Sequence, residues 1–369
     1  MNNKKTREDI QKECLDIMLQ HKRGTAAISM GVGKTRIAIQ YLQYCYNPLI
    51  EILIVIPKLS IATTWIDELE KMNLQSLIKH IKFTTYISIN KHNPDDYDIV
   101  CLDECHNLLE SHTLFLSAFK GKILGLTGTP PKYNDSKKGK MVNKYCPIKY
   151  TFTIDEATDS KILNDYQIVV HKLELSKLLT LKKTKKQGGF WWTSEKKDYE
   201  YITERYNEAQ SIKAKQLAAI MRMRALMEYA TKEDYVKLLL TNLTDKCIIF
   251  ANTQKQADKL SKHSYHSGNS KNEENLELFS DGRIDRLSCV LQLSEGVTIS
   301  NLKQGIIMHA YGNERKSAQR IGRLLRLNPT EKATCHILCY KDTQDELWVQ
   351  AALKDFDSKK VKYYNPLNK

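Results

Sequence analysis

A chain of 369 residues with 41% hydrophobic and 27% charged residues is not an intrinsically disordered chain, and its length predicts two domains. Lys and Arg outnumber Asp and Glu by 57 to 43, and the resulting net charge of +14 favours a polyanionic partner such as nucleic acid. A lysine-rich surface that serves only solubility is the alternative interpretation. The nine cysteines form neither a CxxC pair nor a zinc-spaced cluster, so we expect buried reduced thiols.

The first thirteen residues lack a signal-peptide pattern, and the apolar run near 49–56 is broken by Glu51 and too short to cross a bilayer. We therefore expect a cytoplasmic protein.

Apolar positions at helical spacing predict a helix over 7–21, and this helix contains Gln11. The side-chain amide of a glutamine can donate and accept at once, so Gln11 could recognise both edges of an adenine. An ordinary exposed helix glutamine is the alternative.

The most informative segment of the sequence is 25–41. In it a buried-strand pattern is followed by two glycines and then by the pattern of an amphipathic helix. Glycines let backbone N–H groups surround phosphate oxygens at a helix N-terminus. Lys34 would reach the β- and γ-phosphates of ATP, and the Thr35 hydroxyl would hold Mg²⁺. Ile28 stands where the general GxxxxGK(S/T) pattern has its first glycine, and a chance glycine turn is the alternative. The nucleotide-contacting residues expected here are Met30, Gly31, Val32, Gly33, Lys34, Thr35 and Arg36.

Further buried strands follow, each ending in polar residues. The run 51–56 is closed by Pro57, and a helix follows in which Trp65 lies on the apolar face and is predicted to be a core residue. The run 98–102 leads directly into Asp103 and Glu104. Two adjacent carboxylates at a strand end are costly unless a metal or a proton needs them, so we expect Asp103 to coordinate Mg²⁺ and Glu104 to activate the attacking water.

Another strand, 122–126, leads into the sequence Thr-Gly-Thr-Pro. Strands that alternate with helices and carry polar motifs at their ends predict a parallel α/β sheet with a site at its carboxyl edge. Residues 132–149 are polar and lysine-rich and are expected to form a loop.

The middle of the chain is basic. From His171 to Lys197 there are eight lysines against two glutamates, with Phe190-Trp191-Trp192 among them. This composition is typical of an element that follows a nucleic-acid backbone and stacks on its bases, but a solvated charge run beside a hydrophobic anchor is equally consistent with it. Because 200–230 is strongly helical in pattern, we predict a helical, Lys-rich insertion between two α/β lobes.

A second series of strands begins at 246–251 and continues to about 338, without a phosphate loop of its own. Instead it contains Gln319-Arg320-Ile321-Gly322-Arg323-Leu324-Leu325-Arg326, whose arginines share one helix face. These arginines would stabilise the charge of a transferring phosphoryl group when two lobes close. We therefore predict lobe 1 over 1–155, the insertion over 156–240, lobe 2 over 241–345 and a tail over 346–369.

In this order the motifs closely resemble those of the superfamily 2 helicases and translocases. The matching segments are GVGKT, 57–65, Thr-Thr-Tyr at 84–86, Asp-Glu-Cys-His at 103–106, TGTP, 250–253, Ser-Glu-Gly-Val at 294–297 and QRIGRLLR. Within that superfamily the details look most like phage UvsW-type DNA helicases, with some likeness to Swi/Snf motors. The resemblance implies a two-lobed, RecA-like fold and an ATP-hydrolysing enzyme, in a phage or viral protein of the host cytoplasm.

The resemblance also implies residue roles. Hydrolysis would depend on Asp103, Glu104 and Lys34, with Arg323 and Arg326 as arginine fingers supported by Gln319 and Arg320. Nucleotide contacts would include Gln11 and Gly296. Coupling of hydrolysis to lobe movement would use His106, Thr127, Thr129 and Arg320. The nucleic-acid backbone would be contacted by Pro57, Lys58, Thr85, Tyr86, Thr253, Ser267 and Gly268.

Three functions are compatible with these features. The first is a DNA motor that unwinds or remodels branched duplexes in replication, recombination or repair, acting with other replication or recombination proteins. The second is an RNA helicase, and the third is an ATP-dependent nucleic-acid-binding subunit of a larger complex that does not unwind processively.

Overall fold

The computed structural model describes residues 5–29, 31–131, 133–163, 165–184, 188–290, 299, 302–310, 332–354 and 356–366. The chain forms two compact units that divide between Asp165 and Tyr166, and we call them lobe 1 and lobe 2. Within the described ranges, no helix combines the length and apolar character that a membrane span requires.

Lobe 1 alternates strands and helices. In chain order they are α1 (Arg7–Leu19), β1 (Arg23–Ile28), α2 (Lys34–Tyr44), β2 (Ile52–Ile56), α3 (Ala62–Lys71), β3 (Ile81–Thr85), β4 (Ile99–Asp103), α4 (Thr113–Ala118), β5 (Lys122–Thr127), α5 (Lys137–Tyr145), β6 (Ile148–Phe152) and α6 (Ile154–Asp159).

The lobe 1 sheet has the order β3-β2-β4-β5-β1-β6, and all its strand pairs are parallel. Both faces of this sheet are covered. In β2, Ile52 and Ile54 pack into one apolar cluster, while Leu53 and Val55 pack into another. A strand buried on both faces needs apolar residues at every position, which is why its sequence is a continuous hydrophobic run.

Helix α5 corrects the expectation of a loop over 132–149. Ser136 begins the helix as its N-cap, because its hydroxyl accepts a hydrogen bond from the Gly139 backbone N–H at 3.0 Å. The helix buries Met141, Val142 and Tyr145. The density of lysines and the internal glycine conceal this narrow apolar stripe in the sequence.

Lobe 2 begins with strands. Its elements are β7 (Asp165–Leu173), β8 (Leu181–Thr184), β9 (Phe190–Thr193), α7 (Glu195–Glu208), α8 (Ile212–Glu228), α9 (Ala230–Asn242), β10 (Cys247–Ala251), α10 (Gln254–Leu260), β11 (Ser264–Tyr265), α11 (Asn272–Ser280), β12 (Arg286–Val290), β13 (Gln304–Ile307), β14 (Lys332–Tyr340), α12 (Gln344–Leu353) and β15 (Val361–Tyr364).

The lobe 2 sheet has the order β11-β12-β10-β13-β14-β7-β15. The register is parallel for β11–β12, β12–β10, β10–β13, β13–β14 and β7–β15. The prediction of two parallel α/β lobes is therefore confirmed.

Two segments differ in structure from what we expected of them. The range 156–240 contains helices α7, α8 and α9 but also β7, which joins the lobe 2 sheet, and the separate β8–β9 hairpin. The range 346–369, expected to be a tail, contains most of α12 and the edge strand β15. Strands β7 and β15 pair with each other although they are far apart in the sequence. Local sequence patterns therefore carry little information about this pairing.

Eight of the nine cysteines are buried, Cys45 is partly buried, and all nine are free thiols, as expected.

Candidate nucleotide site

The phosphate loop of lobe 1 begins where β1 ends. Gly31 and Gly33 have φ angles of 90° and 100°, a region that glycine adopts without steric cost, and α2 begins at Lys34 directly afterwards. The backbone N–H groups of the first turn of α2 have no partners within the helix, so this turn can bind an anion. Strand, turn and helix thus follow the order predicted from the sequence.

Gln11 of α1 holds the phosphate loop through a hydrogen bond. Its side chain is only 5% exposed, and its Nε2 donates a hydrogen bond to the Val32 carbonyl at 2.7 Å. A Cβ atom at Gly33 would lie 2.6 Å from the same Nε2, so the close approach also requires glycine. Gln11 is therefore not an exposed helix residue, and its contact with adenine stays a prediction.

The acidic pair lies at the carboxyl end of β4. Asp103 is the last residue of the strand, and Glu104 adopts a left-handed conformation with φ 51° and ψ 53°. A residue with a side chain adopts this conformation at an energetic cost, and such strain concentrates at functional sites. The turn directs Glu104 toward the phosphate loop, since its Oε1 lies 4.0 Å from Lys34 Nζ.

Glu104 also has an unsatisfied oxygen. Its Oε2 is buried and accepts no hydrogen bond within the part of the chain that the structure describes, although His106 Nδ1 lies 3.3 Å away. A buried carboxylate oxygen without a donor is costly, and a water molecule could satisfy it.

Two aromatic side chains hold Asp103. Trp65, which is fully buried in α3, directs its Nε1 toward Asp103 Oδ2 at 3.4 Å. The Tyr86 hydroxyl donates to the Asp103 backbone carbonyl at 2.7 Å. Burial raises the pKa of Tyr86 well above its ordinary value, so this hydroxyl remains a donor.

This arrangement corrects one expectation and adds to another. Tyr86 is 6% exposed and packs in the core, so it does not present its ring to a nucleic-acid backbone. The prediction that Trp65 is a core residue is confirmed, but its contact with Asp103 could not be found from sequence. Helical periodicity places Trp65 on the apolar face, and no local signal identifies the acid beside it.

Three of the residues expected to couple hydrolysis to movement, His106, Thr127 and Thr129, lie at or just after the carboxyl ends of β4 and β5. His106 Nδ1 and Thr127 Oγ1 are 2.8 Å apart, and Thr127 Oγ1 also accepts a hydrogen bond from the Thr129 backbone N–H at 3.1 Å. His106 and Thr127 are both buried. The turns that follow two neighbouring strands are therefore connected by hydrogen bonds.

The remaining predicted residues make other contacts or lie at the ends of other strands and helices. Arg36 is exposed and forms an ion pair with Glu68 at 3.4 Å. Pro57 and Lys58 follow the carboxyl end of β2, and Thr85 ends β3. Lobe 2 contains Thr253 as the N-cap of α10, and Ser267 and Gly268 in the exposed turn after β11. Outside the described residues lie Met30, Gly296, Gln319, Arg320, Arg323 and Arg326.

The donor types fit a hydrated magnesium ion. Thr35 supplies a hydroxyl in the first turn of α2, which follows β1, and Asp103 supplies a carboxylate at the end of β4, with β5 between these two strands. Magnesium prefers such oxygen ligands and keeps several waters, so it needs no dense cage of side chains. In the described ranges no group of three or more His, Cys, Asp or Glu side chains could form such a cage.

Comparisons with known families agree with this geometry. The family model of the type III restriction enzyme res subunit matches residues 4–132, and that of the helicase conserved C-terminal domain matches residues 230–328. A DNA 3'-5' translocase, XPB2 of Sulfurisphaera tokodaii, is 25% identical over 374 residues, which cover 91% of this chain and 82% of the relative. African swine fever virus QP509L, whose given name is that of an ATP-dependent RNA helicase, is 29% identical over 130 residues, which cover 28% of this chain and 24% of QP509L.

Solved structures share the fold. The type ISP restriction-modification enzyme LlaBIII superposes with a TM-score of 0.66 at 14% identity, covering 100% of this chain and 32% of LlaBIII. The Pyrococcus furiosus Hef helicase domain superposes with a TM-score of 0.52 at 14% identity, covering 94% of this chain and 97% of that domain.

A phosphate loop opposite two acids, in the first of two parallel α/β lobes, defines a nucleotide-hydrolysing enzyme of the RecA-like class. Together with this geometry, the matches to both helicase domains and to the translocase support an ATP-hydrolysing superfamily 2 helicase.

Proposed function

We propose that the protein is an ATP-dependent DNA translocase that unwinds or remodels branched duplex DNA in replication, recombination or repair. The observation that carries this proposal is the similarity to a DNA 3'-5' translocase over 91% of the chain. The net charge of +14 supports a polyanionic partner. A kinship with phage UvsW-type helicases and a phage or viral origin remain predictions.

In this proposal lobe 1 binds ATP and prepares it for attack. The phosphate loop surrounds the β- and γ-phosphates with backbone N–H groups, and Lys34 adds positive charge. Thr35 and Asp103 would hold Mg²⁺, which would offset phosphate charge when bound. The contacts of Trp65 and Tyr86 with Asp103 keep that strand end in place.

Glu104 acts as the general base. Its Oε2 accepts no hydrogen bond from the described residues, so it can accept the proton of the attacking water, and the left-handed backbone directs the carboxylate toward Lys34. Lys34 and His106 lie on either side of the carboxylate and limit its freedom to turn away. The hydrogen bonds that link His106, Thr127 and Thr129 then transmit a change at Glu104 to the turn after β5.

Arginine fingers would complete hydrolysis. Arg323 and Arg326, supported by Gln319 and Arg320, would stabilise the charge that develops on the γ-phosphate. We expect Arg323→Ala to lose ATP turnover while ATP affinity changes much less, and steady-state kinetics with equilibrium nucleotide binding would measure both. A normal turnover rate in this variant would refute the arginine assignment.

An RNA helicase is the second candidate, since the relative QP509L carries the name of one. That match covers 28% of this chain, against 91% for the DNA translocase, so we favour DNA.

The test is the ATPase rate without nucleic acid and with single-stranded DNA, duplex DNA, forked or four-way-junction DNA, and RNA. Lys34→Ala serves as the control for contaminating ATPases. The proposal predicts stimulation by DNA that is greatest with branched forms. Stimulation by RNA alone would assign the second function, and equal rates in every reaction would contradict both.

A further inference from the structure

The β8–β9 hairpin of lobe 2 presents aromatic side chains to solvent. Phe190, Trp191 and Trp192 are 53%, 45% and 51% exposed, respectively. Large aromatic side chains bury more area than any others and are seldom left in water three in a row without a partner. The hairpin therefore has a surface that the folding of the described chain does not explain.

The strand register divides the hairpin into two faces. Lys182 lies opposite Trp192 and Thr184 lies opposite Phe190, so these four side chains share one face, which we call the outer face. The rings of Phe190 and Trp192 meet edge to face, with centroids 6.2 Å apart at 85°. All four residues are exposed.

The opposite face attaches the hairpin to lobe 2. It contains Leu181, which packs against the lobe 2 core, and Lys183, whose Nζ donates to Asp198 Oδ2 of α7 at 2.8 Å. Asp198 also accepts a hydrogen bond from the buried Tyr229 hydroxyl at 2.9 Å. The hairpin is therefore fixed on one side, and the outer face does not depend on those contacts.

Two glycines precede β9 in an open part of the surface. Gly188 and Gly189 have φ angles of 91° and 80°, and a Cβ built on either would meet no atom within 4 Å. Glycines are needed here for these positive φ angles and not for close packing. Because the four side chains of the outer face are exposed, a ligand can contact them.

The described strands of the hairpin carry only positive charge, on Lys182 and Lys183. The acidic residues that follow them, Glu195 and Asp198, are buried and hydrogen-bonded inside the lobe. The nearest exposed acids in the sequence are Glu174, 3.4 Å from Lys341 Nζ, and Glu200, 3.8 Å from Lys196 Nζ. Lys182 Nζ lies 4.1 Å from the centroid of the Phe190 ring, so positive charge sits directly beside the exposed aromatics.

We propose that the outer face binds unpaired nucleotides, with bases stacked on Trp192 and Phe190 and a phosphate near Lys182. The inference rests on the proposed function and specifies which part of a branched substrate this surface holds. In a duplex the faces of the bases are covered by their neighbours, so stacking on protein rings requires single-stranded nucleic acid. A lysine beside the rings matches a backbone that carries one negative charge per nucleotide.

The test compares binding of a short oligothymidylate and of a blunt duplex of equal length by fluorescence anisotropy. We expect Trp192→Ala to weaken binding of the single strand about tenfold, because one stacked base is lost, and to leave duplex binding within about twofold. Trp192→Phe keeps an aromatic face and should retain most of the affinity. Leu238→Ala removes an apolar side chain that is 59% exposed on α9 and serves as the matched control.

A second readout reports on the rings directly. Trp65 is fully buried, whereas Trp191 and Trp192 are about half exposed, so we expect the oligothymidylate to quench tryptophan emission in the wild type. The Trp191→Phe/Trp192→Phe variant should lose that quenching and keep the ATPase rate measured without nucleic acid. Thermal unfolding of each variant would verify that it is folded.

The outcomes separate this inference from the proposed function. If no nucleic acid stimulates the wild-type ATPase, the proposed function fails. If DNA stimulates it but Trp192→Ala binds single strands as the wild type does, the hairpin proposal is overturned. Equal loss of single-strand and duplex binding would overturn base stacking, and a change in self-association with unchanged nucleic-acid binding would assign the surface to a protein contact.

Discussion

Lobe 1 and lobe 2 have similar α/β architectures but use their polar residues differently. In lobe 1, Lys34 and Glu104 lie at the carboxyl edge of the sheet, where both side chains remain partly exposed. In lobe 2, Lys232, Asp345 and His309 lie inside the fold with fully buried side chains. The first arrangement strains the backbone of Glu104 and leaves its side chain partly exposed, whereas the second places its charged groups beside one another with no exposure to solvent.

The lobe 2 cluster is compact. Lys232 Nζ lies 2.5 Å from Asp345 Oδ2, and His309 Nδ1 lies 2.9 Å from Asp345 Oδ1. Burial by itself raises the pKa of Asp345, but the neighbouring Lys232 and His309 lower it below its ordinary value. Because the cluster joins α9, the end of β13 and α12, we interpret it as a structural connection. The difference teaches that a cluster of charged side chains indicates a functional site only where solvent or a ligand can reach it.

The largest expected effect comes from removing the lysine of the phosphate loop. We expect Lys34→Ala to lower ATP turnover about 10³-fold, because a positive charge that faces the transferring phosphate is lost. Coupled assays of ATP hydrolysis would measure it, with the exposed Lys71→Ala of α3 as the control. Turnover near the wild-type value in Lys34→Ala would move the site out of lobe 1.

Removing the fully buried Lys232 of lobe 2 should affect stability instead of catalysis. We expect Lys232→Met to lower the free energy of unfolding of lobe 2 by about 3–5 kcal/mol, because Asp345 is left buried without its main counter-charge. Chemical denaturation would measure the loss. Lys237→Met is the control, since Lys237 is 48% exposed and its ion pair with Glu233 should contribute less than about 1 kcal/mol.

A double replacement sharpens this test. Lys232→Met combined with Asp345→Leu removes both charges and should recover part of the lost stability. Wild-type stability in the single variant would contradict a structural role for the pair.

Acid should destabilise lobe 2 through two buried histidines. His171 Nε2 and His336 Nδ1 are 2.9 Å apart, with Tyr235, Tyr364 and Gln304 around them. Burial lowers the pKa of both histidines to about 4, from an ordinary value of 6.5, and the charge of His336 adds to the effect on His171. The unfolded chain therefore takes up protons first, so stability present above pH 6.5 is lost as the pH falls toward 4.

The expected loss is on the order of a few kcal/mol between neutral pH and pH 4. Melting temperature as a function of pH would show it, and His336→Gln should have a shallower dependence because one titrating group is gone. His21→Gln, in lobe 1, should keep the wild-type slope. Identical slopes in all three proteins would remove the histidine pair from the explanation.

The smallest expected effect concerns the support of the phosphate loop. Gln11→Glu keeps the shape of the side chain but cannot donate to the Val32 carbonyl, so we expect nucleotide affinity to fall about tenfold. Equilibrium titration with a fluorescent nucleotide would measure it. Gln43→Glu, at an exposed position of α2, is the matched control, and equal affinities in the two variants would exclude the support role.

Much of lobe 1 could be predicted because short stretches of its sequence are enough to indicate its strands and its phosphate loop. The continuous apolar run of β2 and the glycines that lead into Lys34 are each readable within a short window. The partners of Asp103 were not predictable in this way, because Trp65 and Tyr86 are 38 and 17 residues away and meet it only after the sheet forms.

Lobe 2 was harder to predict for the same physical reason. Strand β7 alternates buried residues such as Ile168 and Val170 with partly exposed ones, but it precedes a lysine-rich stretch that resembles a linker. Its sheet partner β15 has only four residues and lies nearly two hundred positions later. Non-local pairing of short strands leaves almost no trace in composition or periodicity.

The most direct test of the central claim is ATP binding and single-turnover hydrolysis by Glu104→Gln. The amide keeps the size of the side chain but cannot take the proton of the attacking water. We predict that the variant binds ATP with an affinity close to that of the wild type and hydrolyses it at least about 10²-fold more slowly. Hydrolysis at the wild-type rate would contradict the assignment of Glu104 as the base and, with it, the site in lobe 1.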